Sequence, residues 1–320
     1  MSNQNLLEIK ELHVNLMTTG GIIYAVQGVN LEIREGEIHG IVGESGCGKS
    51  MTIKSVMRLH DEKKTEYQGE ILFQGEDILQ KTSKEMQRIR GKEVAMIFQD
   101  PMVSLNPIMK VGEQIAELIR TKENTDKKQA KEKALQMIEK VGVLPPEKRY
   151  EQYPFEMSGG MMQRIMIAMG MSCHPRLLIA DEPTTALDVT IQAQILDLMK
   201  ELQQEHGTSI MIVTHNLGVV AEICDRVTVM YAGKAVETAD VAEIFDSPKH
   251  PYTLALMKSR PKDGEKEMIS IPGAPPGLSK EFTGCAYADR CEYATERCRM
   301  EIPDTVELSG GHKVACHRYR

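Results

Sequence analysis

A glycine-rich segment, GESGCGKS at residues 43–50, carries the clearest chemistry in this chain. It follows the apolar run IHGIV, which is typical of a buried strand, and precedes a stretch that could begin a helix. In this context the pattern G-x-x-x-x-G-K-[ST] predicts a phosphate-binding loop, in which Lys49 contacts the β and γ phosphates and Ser50 ligates Mg²⁺. The nucleotide-binding residues predicted here are Gly43, Ser45, Gly46, Cys47, Gly48, Lys49, Ser50 and Met51.

Two carboxylates end a second apolar run, RLLIADEP at residues 176–183. The run predicts a buried strand that presents Asp181 and Glu182 at its C-terminal edge. A carboxylate pair alone is more often a surface feature. Beside a phosphate-binding loop, however, Asp181 is suited to hold Mg²⁺ through its water shell, and Glu182 to orient or deprotonate the attacking water.

A third segment, MSGGMMQR at residues 157–164, resembles the signature sequence of ATP-binding cassette (ABC) ATPases, whose core is Leu-Ser-Gly-Gly-Gln. Ser158, Gly159 and Gly160 match this core, whereas Met157 and Met161 stand in place of the leucine and the glutamine. Ordinary P-loop GTPases and kinases lack the element, so the resemblance points to the ABC family and to ATP as the nucleotide.

The remaining motifs of that family follow in the family's order. Gln99 in IFQD resembles the Q-loop, Asp188 in TALD the D-loop, and His215 in VTH the switch histidine. The resemblance implies that Glu182, His215 and Gln99 serve hydrolysis, with Gln99 also a Mg²⁺ ligand. Tyr24 is a candidate for the aromatic residue that stacks on adenine, and a tyrosine that packs in the sheet is the equal alternative.

The resemblance also implies a mechanism with two cassettes that face each other head to tail. Each ATP is then held by one glycine-rich loop and by the opposite signature loop, so Ser158 and Gly160 would serve the partner's ATP. Since ATP contacts both halves only when they meet, it stabilises the closed pair. Hydrolysis removes the bridging γ-phosphate and allows the pair to reopen.

Segments outside these motifs are similar to a narrower family. NPIMKVGEQI (106–115), SPKHPYTLALM (247–257) and IPGAPPGL (271–278) resemble ATP-binding subunits of oligopeptide, dipeptide and nickel ABC importers. Met162 departs from the pattern, where an arginine is usual. The family implies two membrane permease subunits, usually a second and non-identical ATPase subunit, and an extracytoplasmic solute-binding protein. Peptide is the commoner solute, and nickel is the alternative.

Composition limits the other possible roles. The 320 residues carry a net charge of -7 and a pI near 5.8, so no nucleic-acid partner is expected, although a soluble ABC regulator that touches nucleic acid is the competing class. The sequence has neither a secretory signal nor an apolar span of roughly 18 residues. We therefore expect a peripheral protein on the cytoplasmic face of the membrane, held there by partner subunits.

Alternating strand and helix patterns predict an α/β fold with a mostly parallel sheet. LEIKELHVNL and IIYAVQGVNLEI, joined by TTGG, predict an antiparallel layer at the N-terminus, and KENTDKKQAKEKALQMIEKVG predicts one amphipathic helix that ends near Gly142. We expect an ABC cassette at 1–260, with a helical subdomain at about 105–175, and a small cysteine-bearing extension at 261–320.

Four of the seven cysteines fall near the end of the chain. Because the sequence has no secretory signal, four cysteines this close together favour metal binding over disulfides. Four free thiols are the alternative. The matching tail of the importer family implies a [4Fe-4S] cluster, with Zn²⁺ as the alternative and His312 or His317 as substitute ligands. The four predicted ligands are Cys285, Cys291, Cys298 and Cys316. Cys47 stands apart, at a helix N-terminus whose dipole is predicted to favour its thiolate.

Overall fold

The computed structural model describes residues 5–185, 187–259 and 271–319. The chain divides into two compact units. The first is built mainly from Arg34–Ile38 and Gln80–Val213, and the second from Leu7–Ile33, His39–Leu79 and Thr214–Arg320.

The strands and helices of the described residues have the following bounds. The strands are β1 Asn5–Thr18, β2 Gly21–Arg34, β3 Ile38–Val42, β4 Thr65–Phe73, β5 Glu76–Asp77, β6 Val94–Ile97, β7 Leu177–Asp181, β8 Ser209–Thr214, β9 Arg226–Tyr231, β10 Lys234–Asp240, β11 Thr305–Glu307 and β12 Lys313–Ala315. The helices are α1 Lys49–Val56, α2 Ser83–Ile89, α3 Pro101–Ser104, α4 Val111–Glu123, α5 Lys127–Lys140, α6 Pro146–Tyr150, α7 Gly159–Met171, α8 Val189–His206, α9 Leu217–Ile223, α10 Val241–Asp246, α11 Pro251–Lys258 and α12 Glu296–Met300. Single 3₁₀ turns occupy Ile78–Gln80, Pro154–Glu156, Ala288–Arg290, Ser309–Gly311 and His317–Tyr319.

The second unit contains the predicted antiparallel layer, in the order β2-β1-β4-β5. β1 pairs antiparallel with β4, and β4 forms a hairpin with β5. A second set of strands starts from β3, which pairs in parallel with β9, and continues antiparallel through β10, β12 and β11. The last two strands come from the C-terminal extension, so the extension completes the edge of this sheet.

Aromatic side chains also join the extension to the second unit. Tyr287 of the extension packs against Tyr231 and Tyr252, with ring centroids 5.1 and 5.4 Å apart. All three rings are buried. Since each large aromatic side chain buries much apolar surface, this cluster stabilises the extension on the unit.

The first unit holds the parallel strands β6, β7 and β8. Every residue of β7 and β8 is buried, which explains their continuous apolar sequences. Between β6 and β7 the described chain is helical, from α3 to α7. None of the helices in the described ranges combines the length and the apolar character needed to cross a membrane.

The single helix expected at 122–142 is wrong at its start. α4 ends at Glu123, its C-cap residue Asn124 adopts the left-handed conformation with φ 55°, and α5 begins after Asp126. The Asp126 carboxylate accepts hydrogen bonds from the backbone N–H groups of Lys128 and Gln129 and so caps α5. Asparagine tolerates the left-handed conformation and aspartate is a strong N-cap, so the ENTD segment separates two helices.

Candidate ATP-binding and hydrolysis site

The glycine-rich loop connects β3 to α1 in the second unit. Gly43, Gly46 and Gly48 have positive φ angles of 155°, 76° and 101°. A Cβ atom on Gly43 would lie 2.2 Å from the Met230 carbonyl oxygen, and one on Gly48 would lie 2.6 Å from that of Ala25. Only glycine allows such close approach of the backbone, which is the shape that amides need to surround phosphate oxygens.

Lys49 is the first residue of α1 and only 5% of it is exposed. Its Nζ donates hydrogen bonds to the carbonyl oxygens of Gly43 at 2.8 Å and of Glu44 at 3.0 Å. The ammonium thus lies against the loop, at a helix N-terminus that itself favours anions. This donor set fits the β and γ phosphates of ATP, and Ser50 follows it as the predicted Mg²⁺ ligand.

The prediction for the Cys47 thiol is wrong. The thiol is 4% exposed, and burial raises its pKa above the ordinary value, although Lys49 acts in the opposite direction. Desolvation disfavours the thiolate more than the nearby positive charge favours it. Cys47 is therefore a packed, neutral residue of the loop.

Two further residues hold the loop, and sequence reasoning missed both. The Tyr252 hydroxyl accepts a hydrogen bond from the Glu44 backbone N–H at 3.0 Å, and Arg290 forms an ion pair with the Glu44 carboxylate at 2.7 Å. Tyr252 lies in SPKHPYT, where His250 caps α11 by accepting from the Tyr252 N–H. Burial lowers the pKa of His250 to about 3, so this cap is a neutral imidazole. The family resemblance of this segment was the available signal.

The carboxylate pair lies at the end of β7 in the first unit. Asp181 is 4% exposed and pairs with Val213 of β8 in the parallel ladder. Glu182 follows with φ 48°, a left-handed conformation that costs a residue with a side chain about 1–2 kcal/mol. Strain of this kind persists where the surrounding structure enforces it, and it is concentrated at functional sites.

Two side chains orient the Glu182 carboxylate. Its Oε2 accepts hydrogen bonds from Gln99 Nε2 at 3.0 Å and from the Thr185 hydroxyl at 2.8 Å. The structure therefore brings together two predicted catalytic residues, Gln99 and Glu182. Thr185 was not predicted, and its place three residues after Glu182, in the turn that follows β7, was the available sequence signal. A carboxylate held in this way can accept a proton from water.

The signature segment begins α7. Ser158 is the N-cap residue, and its hydroxyl accepts from the Met161 N–H at 3.4 Å. A Cβ atom on Gly159 would meet nothing within 4 Å, whereas one on Gly160 would lie 3.0 Å from the Ile191 side chain. Ser158 and Gly159 are exposed, so their backbone at this helix N-terminus is accessible to an anion.

The other predicted site residues, Asp188, His215 and Tyr24, lie on or next to three different elements. Asp188 caps α8 by accepting from the Ile191 N–H at 2.9 Å. His215 is exposed and directly follows β8. Tyr24 lies in β2, and its backbone N–H donates to the Leu278 carbonyl oxygen of the C-terminal region at 2.8 Å. Their roles at the nucleotide stay predictions.

The four tail cysteines line one small cavity, together with His250, Tyr287 and Arg318. Burial, followed by the neighbouring cysteines, raises the pKa of Cys285 to about 11, so the thiol is neutral without a bound cation. In the described residues no three His, Cys, Asp or Glu side chains form a group that could hold a metal ion. The four sulfur donors have the chemistry that a soft metal ion needs, and the metal site stays a prediction.

Comparisons with known proteins agree with the motifs. The model of the family "ABC transporter" matches residues 26–185, and that of the "Oligopeptide/dipeptide transporter, C-terminal region" matches residues 236–298. The oligopeptide transport ATP-binding protein OppD of Bacillus subtilis is 51% identical over 97% of this chain and 87% of its own. The dipeptide transport ATP-binding protein DppD of the same organism is 46% identical over 98% of this chain and 94% of its own.

A solved structure shares the fold. The ATP-binding cassette MJ0796, in a dimeric post-hydrolysis state bound to ADP and Pi, matches 73% of this chain and 98% of its own with a TM-score of 0.66 and 26% identity. The predicted α/β cassette fold with an antiparallel layer is confirmed. The parallel pairing of β3 with β9 is extended by the antiparallel strands β10, β12 and β11, so the pairing beyond the antiparallel layer is mixed. The chain therefore belongs to the ABC transporter ATP-binding proteins, in the group with an oligopeptide/dipeptide transporter C-terminal region, and is an ATP-hydrolysing enzyme of that family.

Proposed function

We propose that this chain hydrolyses ATP to power the uptake of oligopeptides or dipeptides through a membrane importer. The observation that carries the proposal for hydrolysis is the Glu182 carboxylate, held by Gln99 and Thr185 at the end of a buried strand. The relatives named as oligopeptide and dipeptide transport proteins support the choice of solute.

In the proposed reaction Glu182 takes a proton from water while the water oxygen attacks the γ-phosphorus. The bond between the γ-phosphorus and the β,γ-bridging oxygen breaks, and ADP and inorganic phosphate leave. Lys49 exchanges its loop carbonyl partners for phosphate oxygens and balances their charge. Bound Mg²⁺, for which Ser50, Gln99 and Asp181 are the proposed holders, would neutralise the phosphates.

The remaining site residues take proposed roles from the family. His215 contacts the γ-phosphate, Tyr24 stacks on adenine, and Asp188 lies where the two cassettes meet. Ser158 and Gly160 bind the ATP of the opposite cassette, and the open space around Gly159 is compatible with that contact. Two bound ATP molecules would then stabilise the closed pair of cassettes, and hydrolysis would allow the pair to reopen.

The proposed partners are two membrane permease subunits, a second and non-identical ATPase subunit, and a solute-binding protein that acts through the permeases. The chain would lie at the cytoplasmic face of the membrane. We also propose the division into a cassette at 1–260, with a helical subdomain at about 105–175, and an extension at 261–320. The two family matches, at 26–185 and 236–298, support this order.

Transport by the assembled complex tests the function. Proteoliposomes that contain the permeases and both ATPase subunits, with the solute-binding protein outside and ATP inside, should take up labelled oligopeptide or dipeptide. Glu182→Gln should stop uptake, while Glu222→Gln, an exposed helix carboxylate, serves as the matched control. If the complex takes up a nickel chelate but neither peptide, the solute is nickel and the peptide assignment is wrong.

The tail cysteines carry a separate proposal, that they bind a [4Fe-4S] cluster, or Zn²⁺ as the alternative. Its support is the four thiols around one cavity and the softness of sulfur ligands. Anaerobically purified protein should contain about four irons per chain and absorb visible light. One zinc and no iron would select the alternative, and neither metal would reject both.

A further inference from the structure

Arg290, in the C-terminal extension, uses every N–H group of its guanidinium. Nη1 donates to Glu44 Oε2 at 2.7 Å and to the Tyr231 hydroxyl at 3.1 Å. Nη2 donates to Glu44 Oε1 at 3.1 Å and to the Ile271 carbonyl oxygen at 3.3 Å, and Nε donates to that of Pro272 at 2.8 Å. Five donors meet five acceptors, and only 5% of the side chain is exposed.

Glu44, the second residue of the glycine-rich loop, accepts two of these five hydrogen bonds, and its backbone polar groups are held as well. Its backbone N–H donates to the Tyr252 hydroxyl at 3.0 Å, and its carbonyl oxygen accepts from Lys49 Nζ at 3.0 Å. The loop is therefore fixed from α11 on its backbone and from the extension on its side chain.

The charge of Glu44 bears directly on a polyphosphate ligand. The Glu44 carboxylate is negative and belongs to the loop that must bind several phosphate charges, so it would repel them. Only 23% of its side chain is exposed to water, which would otherwise screen this repulsion. Arg290 neutralises this carboxylate with a two-pronged contact, and the fork also fixes the direction in which the carboxylate points. A lysine could supply the charge but not both parallel hydrogen bonds.

We propose that Arg290 is a positioning residue of the nucleotide site: it neutralises Glu44 and holds the glycine-rich loop in its phosphate-binding shape. The inference rests on the assignment of this loop to ATP. It makes the C-terminal extension a contributor to nucleotide affinity, through a side chain 246 positions along the chain from the loop residue that it holds.

The test is binding of a fluorescent ATP analogue with Mg²⁺ to the full-length chain. Arg290→Ala should weaken binding about tenfold, as expected for a coupled charged pair in contact. The double variant with Arg290→Ala and Glu44→Gln should recover most of the lost affinity, since it no longer contains an unpaired carboxylate. Arg297→Ala is the matched control, because Arg297 lies in the same extension and its ion pair with Glu301 is exposed.

The outcomes separate this inference from the assignment of the loop. Binding by Arg290→Ala equal to that of the wild-type chain overturns the inference alone, as does an equal loss in Arg290→Ala and in the double variant. Failure of the wild-type chain to bind overturns the loop assignment and the inference with it. If circular dichroism shows Arg290→Ala unfolded, Arg290→Gln serves instead, because glutamine lacks the positive charge, and wild-type affinity in that variant overturns the proposal.

Discussion

Replacement of Gly43 by alanine tests the geometry of the glycine-rich loop. The added Cβ would lie 2.2 Å from the Met230 carbonyl oxygen and 2.8 Å from the Cys47 sulfur, so the backbone must move. Gly46 is the matched control, since it also has positive φ, at 76°, but a Cβ there would meet nothing within 4 Å. Both variants share the backbone cost, and only Gly43→Ala adds a collision.

The two costs can be separated in magnitude. A left-handed conformation costs an alanine about 1–2 kcal/mol, which is the whole expected effect of Gly46→Ala. A collision with packed neighbours adds about 1–3 kcal/mol, so Gly43→Ala should lower the free energy of unfolding by about 2–5 kcal/mol. Adding Cys47→Ala to Gly43→Ala should not restore stability, because the nearest atom belongs to the backbone.

Urea unfolding without nucleotide measures this difference, as the shift of the midpoint multiplied by the m-value. Omitting ATP removes any direct contact between the new methyl group and phosphate. Equal losses in Gly43→Ala and Gly46→Ala would refute the close approach of the loop to Met230.

Three further outcomes are expected. Cys47 should react with iodoacetamide most slowly of the seven cysteines in the native chain, because it is buried whereas the other six are partly exposed. Its reaction should become faster as the pH rises above 9, because burial raises its pKa, and peptide mass spectrometry that finds it among the fastest would contradict this. Gly159→Ala should raise the free energy of unfolding by up to about 1 kcal/mol, because alanine favours the helix more than glycine does. Gly160→Ala should raise it less, because its Cβ would lie 3.0 Å from Ile191, and urea unfolding midpoints of the two variants test this order. Tyr252→Phe should weaken ATP binding about two- to tenfold by calorimetry, since a loop N–H loses its partner, and unchanged affinity would show that this bond is dispensable.

The parts of the fold that the sequence predicted are governed by local patterns. Apolar runs before Gly43 and up to Asp181 predict buried strands, and glycine spacing predicts the loop between β3 and α1. The break at Asn124 was missed because the charged residues around it suit a helix, although the cap residues were visible. Local patterning therefore predicted which elements exist better than where they end.

The contacts that hold the site are not local, which is why sequence patterns missed them. Glu44 and Arg290 are far apart in the chain, and nothing in an acidic loop position or a tail arginine indicates the pair. The Cys47 pKa was predicted in the wrong direction because the helix dipole is visible in sequence, whereas the degree of burial is not. Residue types and spacing predict the chemistry, but packing determines protonation and orientation.

Steady-state ATP hydrolysis by the assembled transporter with Glu182→Gln tests the central claim most directly. The glutamine amide oxygen can still accept from Gln99 and Thr185, so the geometry should persist while proton acceptance is lost. Turnover should fall about 10²- to 10⁴-fold, the usual contribution of a general base, while MgATP binding stays within about twofold of the wild-type value. Turnover that remains within about twofold of wild type would contradict the assignment of Glu182 as the base.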